Sequence, residues 1–189
     1  QADSGAIGGS ASQEFMILAE TGEDEILYTE DGQYAANIEK AVSMPSDAIA
    51  STFDGFKETE TPGTATIATL CETLNCDPTQ TVKNVLYECV IDTGLLLPVL
   101  VTIRGDQDVN DIKLFNELTR RATDYEATKV LSLEVPDEGR LKKWTTQPIP
   151  LGYMGPDLSD DCLKKGEDIA PKFLRLVDPT AAELKGFVT

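Results

Sequence analysis

Alternating apolar and polar residues predict two adjacent strands in the middle of the chain. Residues 81–91 alternate as a half-buried strand does, and residues 99–103 form a short apolar run typical of a buried strand. Because only a short connection around Gly94 separates them, we predict that the two strands pair in one sheet. Shorter strands are predicted over residues 14–19, 26–28, 130–133 and 173–177.

Helical spacing is clearest in residues 67–74, where apolar side chains recur at i, i+3, i+4 and i+7, with Thr64 as the predicted N-cap. Further helices are predicted over residues 34–43, from residue 108 onward, over 138–144 and over 179–187. Residues 44–63 are interrupted by proline and glycine, which predicts a linker or an irregular crossing. Helices and strands alternate without strict βαβ regularity. We therefore predict an α+β (mixed α/β) fold, a mixed β-sheet flanked by helices.

The residue types present narrow the chemistry. The chain has 189 residues and no histidine, which excludes a Ser-His-Asp triad, a Cys-His dyad and histidine-ligated zinc within it. Its four cysteines form no Cys-x-x-Cys pair, so a zinc ribbon and a thioredoxin-like site are also excluded. We expect four reduced thiols and no metal site, because the acidic residues are too dispersed to predict one.

Negative charge dominates the chain, which has 33 acidic and 16 basic residues and a net charge of −17. An acidic surface repels phosphate groups, so we expect this chain alone to bind nucleic acid poorly. A nucleic-acid substrate would then be presented by another part of the protein and would reach this domain only with its tip. The longest apolar run, residues 94–103, is too short to span a bilayer, so no membrane association is expected.

Several short motifs carry a family resemblance. They are ADSGAIGGS at residues 2–10, SQEF at 12–15, ETGED at 20–24, YAAN at 34–37, TVK at 81–83, RGD at 104–106 and GYMGP at 152–156. Together they resemble bacterial-type prolyl-tRNA synthetases, in which a YbaK-like editing domain is inserted between class II motifs 2 and 3. The resemblance implies that residues 1–44 are a remnant of the class II catalytic domain after motif 2. Residues 45–189 would be the inserted editing domain, incomplete at its C-terminus.

By this resemblance, the domain hydrolyses alanine mischarged onto proline tRNA, while the full-length enzyme attaches proline to the same tRNA. Editing would need no cofactor, whereas the full-length synthetase would use ATP and Mg. The rest of the synthetase would present the acceptor end of the tRNA, and the full-length enzyme is expected to be a cytoplasmic homodimer. Aminoacylation is not expected from this piece, since motif 3 and the anticodon-binding domain are missing from it.

Lys83 is the first candidate site residue. It opens a strand face that is otherwise largely apolar, where a lysine either extends to solvent or is held for a polar ligand. By resemblance it matches the editing-site lysine of the family, which would orient the terminal ribose and the aminoacyl ester. Thr61 matches a threonine that lines the alanine pocket, although its hydroxyl is also placed to bond local backbone. Asp178 matches an editing-site aspartate, although a helix cap explains it equally well.

A two-glycine loop is the second candidate, formed by Gly152, Tyr153, Met154, Gly155 and Pro156. Glycine lets a backbone approach a ligand closely, so its N–H groups are able to hold a carbonyl oxygen as that oxygen gains negative charge. An ordinary turn is the alternative, and the family resemblance favours a substrate loop. We expect Lys83, Thr61 and this loop to line one narrow cavity. Arg104, Asp106 and Asn110 are expected to make structural hydrogen bonds instead.

Two other functions stay open at the level of the sequence. A free-standing trans-editing deacylase would perform the same chemistry without a synthetase, but residues 1–20 resemble a motif 2 flank that such a protein has no use for. A non-catalytic insertion would serve stability or tRNA positioning. The family's editing site usually includes a histidine on a segment beyond Thr189, and this chain contains none. We therefore expect water to attack the ester, positioned by the ribose hydroxyl of the substrate itself.

Overall fold

Two β-sheets and four α-helices are formed by the residues that the computed structural model describes, which are 19, 21–22, 25–41, 47–53 and 55–189. The elements in chain order are β1 (Ile26–Tyr28), β2 (Ala35–Asn37), α1 (Ile67–Leu74), β3 (Val82–Ile91), β4 (Leu96–Arg104), α2 (Asp111–Arg121), β5 (Val130–Glu134), α3 (Glu138–Trp144), β6 (Leu174–Val177) and α4 (Pro179–Ala182). The predicted strand over 14–19 lies outside the described residues except for Ala19, and so do the motifs at 2–10 and 12–15. None of the described helices has the length and hydropathy needed to cross a bilayer.

The larger sheet has the strand order β5-β3-β4-β6. β3 is antiparallel to β4 and β5, whereas β4 and β6 are parallel. The predicted adjacency of the two central strands is therefore confirmed, as is the α+β fold with a mixed sheet flanked by helices. β1 and β2 form a separate two-stranded antiparallel sheet.

Each face of the larger sheet has its own core, because side chains alternate along β3 and β4. On one face, Tyr87, Cys89 and Val99 pack against Leu114 and Leu118 of α2. We call this the α2 face. The opposite face, which we call the α3 face, packs β3 and β4 side chains against α3 and the segments that follow it. Its buried residues are Leu86, Leu100, Leu141, Trp144, Ile149, Met154, Cys162, Leu163 and Phe173.

The prediction of a helix over residues 34–43 is wrong for its described part. Ala35–Asn37 is a strand that pairs with Ile26–Tyr28, and a turn follows it. The two strands are joined by a tight turn in which Gly32 has φ +67°, and the Thr29 N–H donates to the Tyr34 carbonyl. A partner strand nearby in the sequence therefore overrides a composition that is compatible with a helix.

Three helix boundaries also differ from the prediction. Thr66 caps α1, while the Thr64 hydroxyl donates to the Thr61 carbonyl at 2.6 Å. Helix α2 begins at Asp111 with Asn110 as its N-cap, after residue 108. Helix α4 ends at Ala182 and not at 187, because Val188 exchanges backbone hydrogen bonds with residues at the start of β3.

Gly105, at the end of β4, is closely packed against the start of β3. A Cβ atom there would lie 1.9 Å from Thr81 Oγ1 and 3.0 Å from the Pro78 carbonyl oxygen. We expect Gly105→Ala to lower the free energy of unfolding by roughly 1–3 kcal/mol, since a buried methyl group has no space there. Urea denaturation checks this against Gly55→Ala, whose added Cβ meets nothing within 4 Å. Equal denaturation midpoints for the two variants would contradict the expectation.

Candidate functional site

One end of the larger sheet brings together two candidate site residues, Lys83 and Asp178, and the structural residue Arg104. β3 begins there, and its Val82 pairs with Arg104, the last residue of the antiparallel β4. β6 is parallel to β4 and ends at the same edge, where Asp178 follows Val177. Lys83, Arg104 and Asp178 are therefore near one another at this end of the sheet. In the sequence, 95 positions separate Lys83 from Asp178.

Lys83 points toward the α2 face, which it shares with its register partner Ile103. Its Nζ donates to Asp108 Oδ1 at 2.7 Å, and this bond lowers the pKa of Asp108. The Asp108 side chain is 97% exposed and that of Lys83 is 25% exposed. Because exposed ion pairs contribute at most about 1 kcal/mol, a ligand would break this one at little cost.

The glycine loop lies against Ala65, which directly follows the turn from Thr61 to Thr64. Gly152 has φ +81°, and a Cβ atom there would lie 2.9 Å from the Cβ of Ala65. Only glycine combines this backbone conformation with so close an approach. The turn itself is held by the bond from Thr64 to the Thr61 carbonyl. The structure thus places Gly152 next to Ala65, four residues after Thr61, and a contact between Thr61 itself and the loop stays a prediction.

Met154 anchors the loop on the α3 face. Its side chain is 9% exposed and packs in the core with Leu86 and Leu100, whereas Tyr153 is 48% exposed. The Met154 carbonyl oxygen accepts a hydrogen bond from Asn84 Nδ2 at 2.8 Å. Sequence reasoning missed Asn84, which follows Lys83 directly. The signal in the sequence was a polar carboxamide on the strand face that Asn84 shares with two apolar residues, Val82 and Leu86.

Lys83 and the glycine loop are not brought together by the contacts of the described residues. The Lys83 ammonium is bound on the α2 face, and the loop is bound on the α3 face through the next residue of the same strand. Successive strand residues point to opposite faces, which explains the separation. A single cavity lined by Lys83, Thr61 and the loop stays a prediction.

Asp178 caps α4 in the structure. Its Oδ1 accepts hydrogen bonds from the Thr180 N–H at 2.9 Å and from the Thr180 hydroxyl at 2.5 Å. The helix-cap interpretation of Asp178 is therefore confirmed, and its role at an editing site stays a prediction. Asp178 also lines a large open cleft between α2, β4 and β6, with a volume of about 760 Å³. That volume is far larger than an alanyl group needs.

The buried side chain of Arg104 forms an ion pair with Asp106. Its guanidinium binds both carboxylate oxygens of Asp106, at 2.6 Å and 2.9 Å, and its side chain is 3% exposed. These bonds raise the pKa of Arg104 and lower that of Asp106. Asn110 caps α2 by accepting from the Lys113 N–H. The expectation that these three residues make structural hydrogen bonds is confirmed.

The four cysteines are free thiols, as expected, and three of them are buried. Burial raises the pKa of Cys89 to about 11, so this thiol is protonated and unreactive at neutral pH. Within the described ranges, no three cysteine, aspartate or glutamate side chains are grouped closely enough to hold a metal ion.

Comparison with known proteins shows which domain family and which longer proteins the chain is similar to. Residues 61–142 match the aminoacyl-tRNA editing domain family. All of the chain aligns with proline–tRNA ligases, at 70% identity over 189 residues for Synechococcus elongatus, 62% over 188 for Trichodesmium erythraeum and 59% over 189 for Nostoc punctiforme. The chain spans about a third of the length of these relatives. The matched family region includes Thr61 and Lys83, whereas the glycine loop and Asp178 lie beyond it.

Proposed function

We propose that this chain, as the stretch of a prolyl-tRNA synthetase that contains the aminoacyl-tRNA editing domain, hydrolyses alanine from mischarged proline tRNA. The observation that carries the proposal is the editing-domain match over residues 61–142. It lies inside a chain whose whole length aligns with about a third of each proline–tRNA ligase. That alignment favours an editing domain within a ligase over a free-standing deacylase.

A second site is needed because size alone does not exclude alanine from a pocket built for proline. Removing a methylene or two from a ligand costs only about 1–3 kcal/mol of binding, which is too little for faithful translation. A hydrolytic site that admits alanine and rejects proline provides the missing discrimination. The full-length protein would attach proline with ATP and Mg, and editing itself needs neither.

The reaction is hydrolysis of the ester between the amino acid and the terminal ribose. A water oxygen bonds to the ester carbonyl carbon, the ester C–O bond breaks, and a proton passes to the ribose oxygen that leaves. The free hydroxyl of the same ribose would position the water, because it is held next to the ester within the substrate itself. The products are free alanine and uncharged tRNA.

The glycine loop supplies hydrogen-bond donors for the carbonyl oxygen. In the described part of the chain, no backbone carbonyl accepts a hydrogen bond from the N–H group of Met154 or Gly155. Donors that are already held in place stabilise the negative charge that develops on the carbonyl oxygen without further reorganisation. Lys83 would leave its weak pair with Asp108, turn from the α2 face toward the loop and bind the ribose, while Thr61 would line the alanine pocket. Asp178 keeps its place as a proposed site residue by the family resemblance alone, since its carboxylate caps α4 in the structure.

The net charge of the chain indicates how proline tRNA would reach this domain. The net charge of −17 opposes phosphate binding, so the rest of the ligase would present the acceptor end of proline tRNA to this domain. By the family resemblance alone, the full-length ligase would act as a cytoplasmic homodimer.

Deacylation by the full-length ligase that contains this chain tests the proposal. We expect alanine to be released from proline tRNA that carries it and the prolyl ester of the same tRNA to be stable, because the site would reject the larger amino acid. Release of radiolabelled amino acid measures both reactions in parallel. Mischarged tRNA that is as stable with the ligase as without it would refute the proposal and favour a non-catalytic insertion.

A further inference from the structure

Asn84 joins three separate parts of the structure through one carboxamide. Its Nδ2 donates to the Met154 carbonyl at 2.8 Å and to Thr189 Oγ1 at 3.0 Å, and its Oδ1 accepts from Thr102 Oγ1 at 2.7 Å. A polar residue with three satisfied bonds on a strand is held in one orientation. The glycine loop is thereby tied to β3 and, through Thr102, to β4.

The orientation of this carboxamide follows from its partners. A carbonyl oxygen only accepts hydrogen bonds, so the Asn84 atom that faces Met154 must be the nitrogen. The oxygen then faces Thr102, whose hydroxyl is the donor. The Met154 carbonyl therefore requires that Asn84 Nδ2 be the donor to the loop.

Binding the Met154 carbonyl also sets the direction of an N–H group. The Met154 carbonyl and the Gly155 N–H belong to one planar trans peptide, in which C=O and N–H point in opposite directions. Because Asn84 holds the carbonyl toward β3, the Gly155 N–H points away from β3. The Met154 side chain, buried in the α3-face core, prevents the peptide from turning over.

We infer that Asn84 is a positioning residue for editing, which orients the Gly155 N–H as a donor to the carbonyl oxygen of the aminoacyl ester. The inference rests on the proposed function, since it assigns the ester as the group that this N–H meets. A misdirected donor stabilises the transition state less while leaving the binding of the tRNA unchanged. Loss of Asn84 should therefore lower kcat and leave KM unchanged.

Asn84→Asp in the full-length ligase is the test, since it keeps the shape of the side chain and replaces the donor with a second acceptor. At pH 8 we expect kcat for release of alanine to fall by about tenfold or more, with KM within about twofold of the wild type. The matched control is Thr102→Val, which removes a bond to Asn84 Oδ1 but leaves the donor to Met154. It should lose much less activity.

Lowering the pH separates positioning from simple destabilisation. In the Asn84→Asp variant, the new carboxyl would donate to the Met154 carbonyl again once protonated, and a carboxyl against a carbonyl oxygen has a raised pKa. The kcat ratio of wild type to Asn84→Asp should therefore shrink between pH 8 and about pH 5. A kcat equal to that of the wild type, a ratio that does not change with pH, or an equal loss in Thr102→Val would each overturn the inference. Failure of the wild-type ligase to release alanine would instead overturn the proposed function.

Discussion

Lys83→Ala in the full-length ligase is expected to abolish release of alanine from mischarged proline tRNA while leaving prolylation intact. The proposed role of Lys83 is to hold the ribose during ester hydrolysis, so its loss should lower the rate by about a hundredfold or more. Prolylation uses a different site, so it should be unaffected. Single-turnover deacylation and steady-state prolylation measure the two activities on the same preparation.

Asp108→Asn is the matched control for Lys83→Ala. It removes the charge that the Lys83 ammonium pairs with in the structure, but it leaves the ammonium in place. Because this pair is exposed, its loss should change stability by less than about 1 kcal/mol and deacylation little. Unchanged deacylation in Lys83→Ala, or equal losses in both variants, would show that Lys83 serves only its ion pair with Asp108.

Trp144→Ala is expected to cause the largest loss of stability of any single change considered. Trp144 is 1% exposed at the centre of the α3-face core, and its Nε1 donates to Glu88 Oε2 at 2.8 Å. Truncation would open a cavity and leave the buried Glu88 carboxylate with Arg140 as its main partner. We expect the free energy of unfolding to fall by about 3–5 kcal/mol, as measured by urea denaturation.

Trp144→Phe separates the packing contribution from the hydrogen bond. The phenyl ring fills much of the space but has no donor for Glu88, so we expect a smaller loss of roughly 1–3 kcal/mol. A loss below about 1 kcal/mol for Trp144→Ala would contradict the assigned core position. Since Met154 packs in the same cluster, Trp144→Ala should also displace the glycine loop and slow deacylation.

Local patterns were sufficient for elements whose partners are close in sequence or whose periodicity is strong. The alternation over residues 81–91 predicts β3, and the nearby apolar run predicts its pairing with β4. The i, i+3, i+4, i+7 spacing predicts the apolar stripe of α1 over residues 67–74, although the helix is capped by Thr66 and not by Thr64. The sequence alone does not specify the N-cap of α1, because the threonines at 64 and 66 both have a hydroxyl suited to an N-cap. Only the observed hydrogen bonds distinguish Thr66, which caps the helix, from Thr64, which bonds the Thr61 carbonyl.

The helix predicted over residues 34–43 shows where local propensity is insufficient. Alanine-rich segments favour helices as isolated peptides, but pairing of Ala35–Asn37 with Ile26–Tyr28 stabilises a strand instead. The end of α4 has a similar cause, since backbone bonds from Val188 to residues 80 and 82 compete with continuation of the helix. Both outcomes depend on partners that a window of neighbouring residues does not contain.

The features of the candidate site also fall into two groups, those that the sequence specifies and those that depend on the tertiary structure. The sequence by itself determined that these 189 residues contain no histidine and carry a large negative charge, and it predicted the strand that carries Lys83 and the two-glycine loop, since these depend on composition and on local pattern. Only the tertiary structure decided that Gly152 meets Ala65, that the Lys83 ammonium binds Asp108, and that Asn84 holds the Met154 carbonyl across 70 positions of sequence. Strand register assigns each side chain to a face, and chain crossings decide which loop covers that face. Contacts between residues so far apart arise from packing of the whole domain, so local periodicity carries no record of them.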